Sequence, residues 1–264
     1  MILSLHMINL ERRKQILDIL ATEGSINTNL LSERLGVTGA TIRTDLRDLA
    51  REGAIVRFHG GVRLPEKQHT DELSENYMVR SVTHVDLKEK IGRRAAKLVQ
   101  NGDTIFMDAS STAFNMIPFL KDTDDVTVIT NGIHTAMELQ HHNNFKSIIL
   151  IGGMLRPHSG TIEGVMCREM ISRFRAEYYF VSGNGFSPEM GLSGNNLFEL
   201  ELKRICADRS KHIVALIDST KMGADSASVF ISPNKIDYLV TDDNADQVTV
   251  EACKKKGMNV LVAD

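Results

Sequence analysis

Two units in tandem are predicted by this sequence: a small helical unit closed by a β-hairpin over residues 1–63, and a larger α/β unit with a mostly parallel sheet over 88–264, joined by a linker over 64–87. Three observations predict them. The first fifty or so residues carry three helical periods, each ended by a glycine; the stretch from Leu64 to Leu87 loses periodicity; and beyond Lys88 short apolar runs alternate with helical patterns, as βαβ units do. At 264 residues the chain exceeds the usual single-domain size, so each unit can bury a core of its own.

The elements follow in order. From Asn9, NLERRKQILDILATEG places Leu10, Ile16, Leu17 and Leu20 near helical spacing and stops at Gly24. NTNLLSERLG predicts a short second helix through Leu30, Leu31 and Leu35, ended by Gly36. Thr38 is placed to cap a third helix, in which Ile42, Leu46 and Leu49 face inward while Thr41, Arg43, Thr44, Arg47 and Arg51 face outward. AIVRFHGGVRL then carries Ile55, Val56, Phe58 and Val62 around Gly60-Gly61, which suits a β-hairpin wing bearing Arg57, His59 and Arg63. Helix, tight turn, helix and basic wing form a winged helix-turn-helix, whose third helix fits the major groove of duplex DNA. Thr38, Thr41, Arg43, Thr44, Arg47, Arg57, His59 and Arg63 are its candidate DNA-binding residues.

The linker, PEKQHTDELSENYMVRSVTH, is polar; Glu75, Tyr77 and Arg80 are placed on a connecting helix or in solvated chain. Beyond it, KEKIGRRAAKLVQNG predicts a helix, and TIFMD, VTVITN, SIILIGG, YYFVSG, HIVALID, YLVTD and NVLVAD predict buried strands. Their ends are small or polar, and in open α/β sheets the carboxyl ends of strands line the ligand crevice. There Asp108 offers a carboxylate for sugar hydroxyls, or a helix cap. Ser110, Ser111 and Thr112 offer hydroxyls at a helix start suited to phosphate. Asn131 lies at the next strand end, and Gly152, Gly153, Gly183 and Gly185 would admit a ligand close to backbone amides.

VTGATIRTDLRDLAREGAIVRFHGGV resembles the signature of the DeoR family of bacterial regulators, through Thr41, Ile42, Arg43, Asp45, Leu46, Leu49, Gly53, Arg57, His59, Gly60 and Gly61. Thr38 stands where the family has Ser and keeps a hydroxyl cap; Thr44 stands where it has a second Arg and removes a cation. DASST, VTVITN, IGGMLRPHSGTIEG, DSTKMG and YLVTDD resemble the family's sensor domain, which is similar in fold to ribose-5-phosphate isomerase. The resemblance implies a repressor of a carbohydrate-utilisation operon. Its expected partners are double-stranded operator DNA, a phosphorylated sugar effector, and further copies of itself in a dimer or tetramer. It adds Glu199, Lys203 and Lys221 as candidate effector-binding residues.

Three other readings compete with this one: a sugar-phosphate isomerase, a nucleotide-binding enzyme and a DNA-binding scaffold. A sugar-phosphate isomerase could use Glu199 as base beside Lys203, four residues on, although that spacing equally makes a surface ion pair. A scaffold would use the second unit only to assemble copies. The expectation is a regulator without catalysis, cofactor or metal: no nucleophile elbow, Walker loop or zinc spacing occurs, and Pro188 stands where a dinucleotide fingerprint needs its third glycine. Cys167, Cys206 and Cys253 are too few and too scattered for a disulfide framework. Residues 1–63 carry nine Lys and Arg against seven Asp and Glu, the remainder 22 against 27, so nucleic acid is expected at the first unit. No apolar run reaches the roughly 18 residues that span a bilayer, and the start lacks the basic region of a secretory signal, so a cytoplasmic protein is expected.

Overall fold

The computed structural model describes residues 2–51, 53–58, 60–64 and 76–264, with side chains from Glu11 onward. His59 and Glu75, singled out in the sequence, lie outside the described residues. The chain divides into two compact units, Met1–Val85 and Asp86–Asp264.

In the first unit α1 (Ile2–Glu23) is followed by β1 (Ser25–Asn27), α2 (Thr28–Arg34) and α3 (Gly39–Arg51). Each junction has a local cause. The Asn27 side chain accepts the Asn29 N–H at 2.8 Å to start α2, and Gly36, at φ +62, ends that helical segment in the left-handed conformation. Strands β2 (Val56–Phe58) and β3 (Gly61–Arg63) form the wing, and β1 completes a three-stranded sheet in the order β1-β3-β2. Ile16, Leu17, Leu20, Leu31, Ile42, Leu46, Leu49, Ile55 and Val62 close the core. Val56 and Phe58 do not join it: β2 is exposed along its length, and the apolar contacts come instead from Ile55 before it and Val62 opposite. Helix α4 (Tyr77–Val82) packs on α1 and adds Val82 to the same core.

The second unit opens with α5 (Val85–Ala96) and is built on a seven-stranded, wholly parallel sheet. Its strands are β4 (Thr104–Met107), β5 (Val126–Thr130), β6 (Phe145–Leu150), β9 (Ala176–Val181), β12 (Ser210–Leu216), β14 (Tyr238–Asp242) and β15 (Asn259–Ala263). All seven correspond to apolar runs in the sequence. Their order is β15-β14-β12-β9-β4-β5-β6: the chain moves outward from β4 through β5 to β6, then returns to β4's other side with β9 and continues to β15. The reversal lies between β4 and β9.

Both faces of the central strands are covered, which is why their inner stretches run apolar rather than alternating, while the edge strands β6 and β15 stay partly exposed. Phe106, Tyr179, Val181, Ile213 and Ala215 face one core, with α8 (Val165–Ile171), α9 (Leu197–Asp208) and α10 (Gln247–Lys255) contributing Cys167, Ile171, Leu200, Cys206 and Cys253. Ile105, Met107, Phe180, Val214 and Leu216 face the other, under Ile91 and Ala95 of α5, Ala113 of the one-turn helix α6 (Ser111–Phe114) and Leu139 of α7 (Ile133–Leu139). Cys167, Cys206 and Cys253 are buried free thiols. Two additions were not legible as strands: the hairpin β7 (Met154–Leu155) with β8 (Ile162–Glu163), and an antiparallel sheet of β10 (Gly185–Ser187), β11 (Gly191–Gly194) and β13 (Ser228–Ile231). Among the described residues no helix is long and apolar enough to cross a membrane.

Candidate DNA interface and candidate effector site

Helix α3 presents one polar face because its other face is fixed. Asp45, buried, accepts Arg12 Nε at 2.6 Å and Arg13 Nε at 3.3 Å, and Arg13 also reaches Asp48, so two cations of α1 clamp the inner side of α3. That gives the signature aspartate a structural role. Thr38 caps α3: its hydroxyl accepts the Thr41 N–H at 3.2 Å and shares a hydrogen bond with the Thr41 hydroxyl at 2.9 Å. Thr44 spends its hydroxyl on the Ala40 carbonyl at 3.2 Å. Arg43, Arg47 and Arg57 are exposed, and Arg63 is half-buried. Arg47 and Arg51 stand 4.0 and 3.6 Å from Asp48, near enough to be oriented yet open to solvent. Arg43, Arg47 and Arg51 of α3 and Arg57 of the wing thus present exposed cations able to meet phosphate or base edges, while Thr38 and Thr44 shape the backbone.

In the second unit Asp108, Ser110, Glu199 and Lys203 gather where the strand order reverses, whereas Gly152 and Gly153 follow edge strand β6 and Lys221 follows β12. Asp108 follows β4 and is only 2% exposed. One carboxylate oxygen accepts the Ser110 N–H at 3.0 Å; the other accepts the Ser182 N–H, from the end of β9, at 3.0 Å. Lys203 of α9 completes the lattice: its Nζ stands 3.1 Å from that second oxygen, 3.0 Å from Glu199 Oε1 and donates to the Ser182 carbonyl at 2.8 Å. Burial alone would push the Lys203 ammonium down, but Glu199 and Asp108 outweigh it and hold its pKa above the ordinary lysine value. All three of its N–H groups have acceptors, so Lys203 ties β4, β9 and α9 together rather than pointing a spare cation at a ligand. Asp108 is likewise held by three donors. Ser110, not Asp108, caps α6, its hydroxyl accepting the Ala113 N–H at 3.1 Å.

The other candidates divide. Ser111 and Thr112 begin α6 and are buried; their N–H groups belong to the first turn, which lacks intrahelical acceptors. Asn131 donates from its side chain to the Ile162 carbonyl at 3.1 Å, fastening the end of β5 to β8. Three of the glycines have a packing reason. A Cβ on Gly153 would lie 2.5 Å from Cys167 Sγ, on Gly183 2.8 Å from the Ser193 carbonyl oxygen, and on Gly185 2.3 Å from that of Ala224. Gly152 alone of the four faces open space. Lys221 pairs with Asp218 at 3.1 Å at the end of β12. Burial raises the Asp218 carboxyl pKa, but Lys221 and the Thr220 hydroxyl more than offset it and hold it below the ordinary value.

Sequence reading missed Ser182, Thr135 and Lys88. Ser182 ends β9 and gives both its N–H and its carbonyl to the lattice. Thr135 of α7 is buried beside Gly132, where an added Cβ would come 3.0 Å from both Thr135 Oγ1 and the Ala109 Cα. Lys88 of α5 is buried within electrostatic reach of Asp218. A buried lysine among Leu87 and Ile91 was the one available signal. At the opposite, amino-terminal end of the sheet a cleft of about 580 Å³ is lined by Asp103, Arg175, Glu177, Asp208, Arg209 and Lys211. Lys211 is matched by Glu177 at 2.8 Å and Asp208 by Lys235 at 2.9 Å, and the candidate residues above lie at the other end of the strands.

Residues 12–68 match the DeoR-like helix-turn-helix domain and residues 83–243 the DeoR C-terminal sensor domain. The HTH-type transcriptional regulator GolR of Listeria innocua is 37% identical over 98% of this chain and 100% of its own length. The glycerol-3-phosphate regulon repressor of Escherichia coli is 29% identical over 88% and 90%. Ribose 5 phosphate isomerase A from Neisseria gonorrhoeae superposes with a TM-score of 0.40 at 12% identity, over 55% of each chain.

Proposed function

The chain belongs to the DeoR family of bacterial transcriptional regulators, and from that premise we propose that it is a cytoplasmic repressor of a carbohydrate-utilisation operon, released or engaged by a small phosphorylated sugar or polyol. It is a DNA-binding regulator rather than an enzyme. Its first unit meets duplex operator DNA through Thr41, Arg43 and Arg47 of α3 and Arg57 and Arg63 of the wing. Its second unit takes the effector at the tips of β4, β5 and β9, and assembles copies into a dimer or tetramer that spans two half-sites.

The observation that carries the sensing half is the position of the Asp108–Lys203–Glu199 lattice at the reversal in strand order. That is where open parallel sheets receive ligands, and a buried ionic lattice there costs desolvation that a purely structural core has no need to bear. Ser111 and Thr112 supply the N–H groups for the phosphoryl oxygens, and the effector's weight falls on the turn that Lys203 ties to β9 and α9. A thermal-shift series on the full chain tests the reading: phosphorylated sugars and polyols against their unphosphorylated counterparts. At least one phosphorylated compound raises the melting temperature while its dephosphorylated form does not. Stabilisation by neither class sinks the sensing half.

A further inference from the structure

Among the described residues, seven buried side-chain polar atoms make no hydrogen bond within the chain. Four are accounted for: Tyr77 and Arg80 have other polar contacts, Asp218 has Lys221 at 3.1 Å, and His212 has Asp237 at 3.6 Å. The remaining three are the hydroxyls of Thr112, Thr135 and Ser182, and all three residues border the turn that follows β4. Thr112 is part of it, Ser182 is bonded through its N–H to Asp108, and Thr135 Oγ1 lies beside Gly132, which packs on Ala109. They come from α6, α7 and the end of β9, three separate elements, so chance clustering along the chain does not explain them. Buried hydroxyls are normally satisfied, and an exception asks what completes it.

We propose that Thr135 and Ser182, together with Thr112, are effector-contacting residues: neutral hydroxyls that donate to the phosphoryl oxygens of a bound phosphomonoester or of free phosphate. This rests on the reading of the β4, β5 and β9 tips as the effector site. The unprotonated oxygens of a phosphoryl group accept, which suits three O–H donors, and Lys203 already has acceptors for its N–H groups in Asp108, Glu199 and Ser182. The three oxygens are shut off from bulk water and have no partner within the chain, so a bound phosphoryl group would supply the acceptors they lack.

The test uses the full chain with Thr135→Val, Ser182→Ala and Thr112→Val, and two probes, glycerol 3-phosphate and inorganic phosphate. Each variant removes an unsatisfied hydroxyl with little change of shape. Without probe, its melting temperature rises by about 1 to 4 °C. Each also binds both probes about three- to tenfold more weakly by calorimetry, the loss of one neutral hydrogen bond. A purely structural hydroxyl gives the opposite pair of results: lowered melting temperature and unchanged affinity, which would assign these oxygens to an internal water and overturn the proposal. Weakening with glycerol 3-phosphate alone overturns the phosphoryl assignment in favour of the carbon-chain hydroxyls. If Asp108→Asn weakens the probes while Thr135→Val and Ser182→Ala do not, the proposal falls and the site stands. If no variant, Asp108→Asn included, changes either affinity, both fall; if neither probe binds the parent at millimolar concentration, the phosphoryl assignment of these hydroxyls falls while the site is still decided by the thermal-shift series.

Discussion

Replacing Lys203 with Met removes the cation at the centre of the lattice and keeps the length of the side chain. Asp108 retains the amides of Ser110 and Ser182, each at 3.0 Å, but loses its counter-ion at 3.1 Å, and the buried Ser182 carbonyl loses the donor it had at 2.8 Å. Glu199 stands nearer solvent and can be rehydrated, so the cost concentrates on Asp108 and Ser182. Removing one partner of a buried pair costs about 3–5 kcal/mol. In a unit of this size each kcal/mol lowers the melting temperature by about 2–4 °C, giving a fall of about 6–20 °C. Calorimetric melting of the full chain measures it, and the variant binds DNA like the parent below its transition because the α3 contacts lie in the other unit. Adding Asp108→Asn in the same chain removes the stranded charge, so the double variant loses less than the sum of the singles by about 1 kcal/mol or more. A fall under about 2 °C, or strict additivity, would refute the lattice as a stabilising unit and return Lys203 to the role of a ligand-facing cation.

Arg43→Ala and Arg47→Ala each weaken operator binding; an arginine that meets only phosphate lowers the salt slope by about 1 unit, and parent-like binding by both at several salt concentrations would remove α3 from the interface. Gly92→Ala destabilises the second unit by about 1–3 kcal/mol although alanine favours helices by about 1, because the new Cβ would lie 2.3 Å from the Asn115 carbonyl oxygen; chemical denaturation measures the sign. The raised pKa of Lys203 gives stability that is fully present below the unfolded value of 10.5 and is lost as pH rises through the higher folded value. Above pH 10.5 the parent therefore loses melting temperature more steeply than Lys203→Met, and parallel curves would contradict it. The lowered pKa of Asp218 acts at the other end: its contribution is present above 3.8 and is lost as pH falls through the lower folded value, a loss absent in Asp218→Asn.

Local chemistry was the legible part. The three helices of the first unit, the Thr38 cap and the wing follow from periodicity, glycines and one hydroxyl within a few residues of one another. The parallel strands were legible because each carries a short apolar run, longest where both faces are buried, as in β4 and β5. β10, β11 and β13 were not: GFS, GLSG and SVFI are short, and the first two owe their place to glycines that let backbone pack on backbone. Asp108 was legible as a polar strand tip, but its partners were beyond sequence reasoning, since Ser182 lies 74 residues away and only the reversal in strand order brings β9 beside β4. The same holds for Asp45, whose partners Arg12 and Arg13 lie 33 and 32 residues away on α1.

The proposed function couples an effector at the tips of β4, β5 and β9 to DNA at α3 of the same chain. Its most direct test is the affinity of the full chain for a duplex selected from a random pool, measured by fluorescence anisotropy with and without the phosphorylated compound that raises its melting temperature. A selected sequence is expected to bind at least about a thousandfold more tightly than random duplex, with an affinity that the compound changes by about five- to 150-fold. Selection of no sequence, or tight binding that the compound leaves unchanged while it still stabilises the protein, would contradict it.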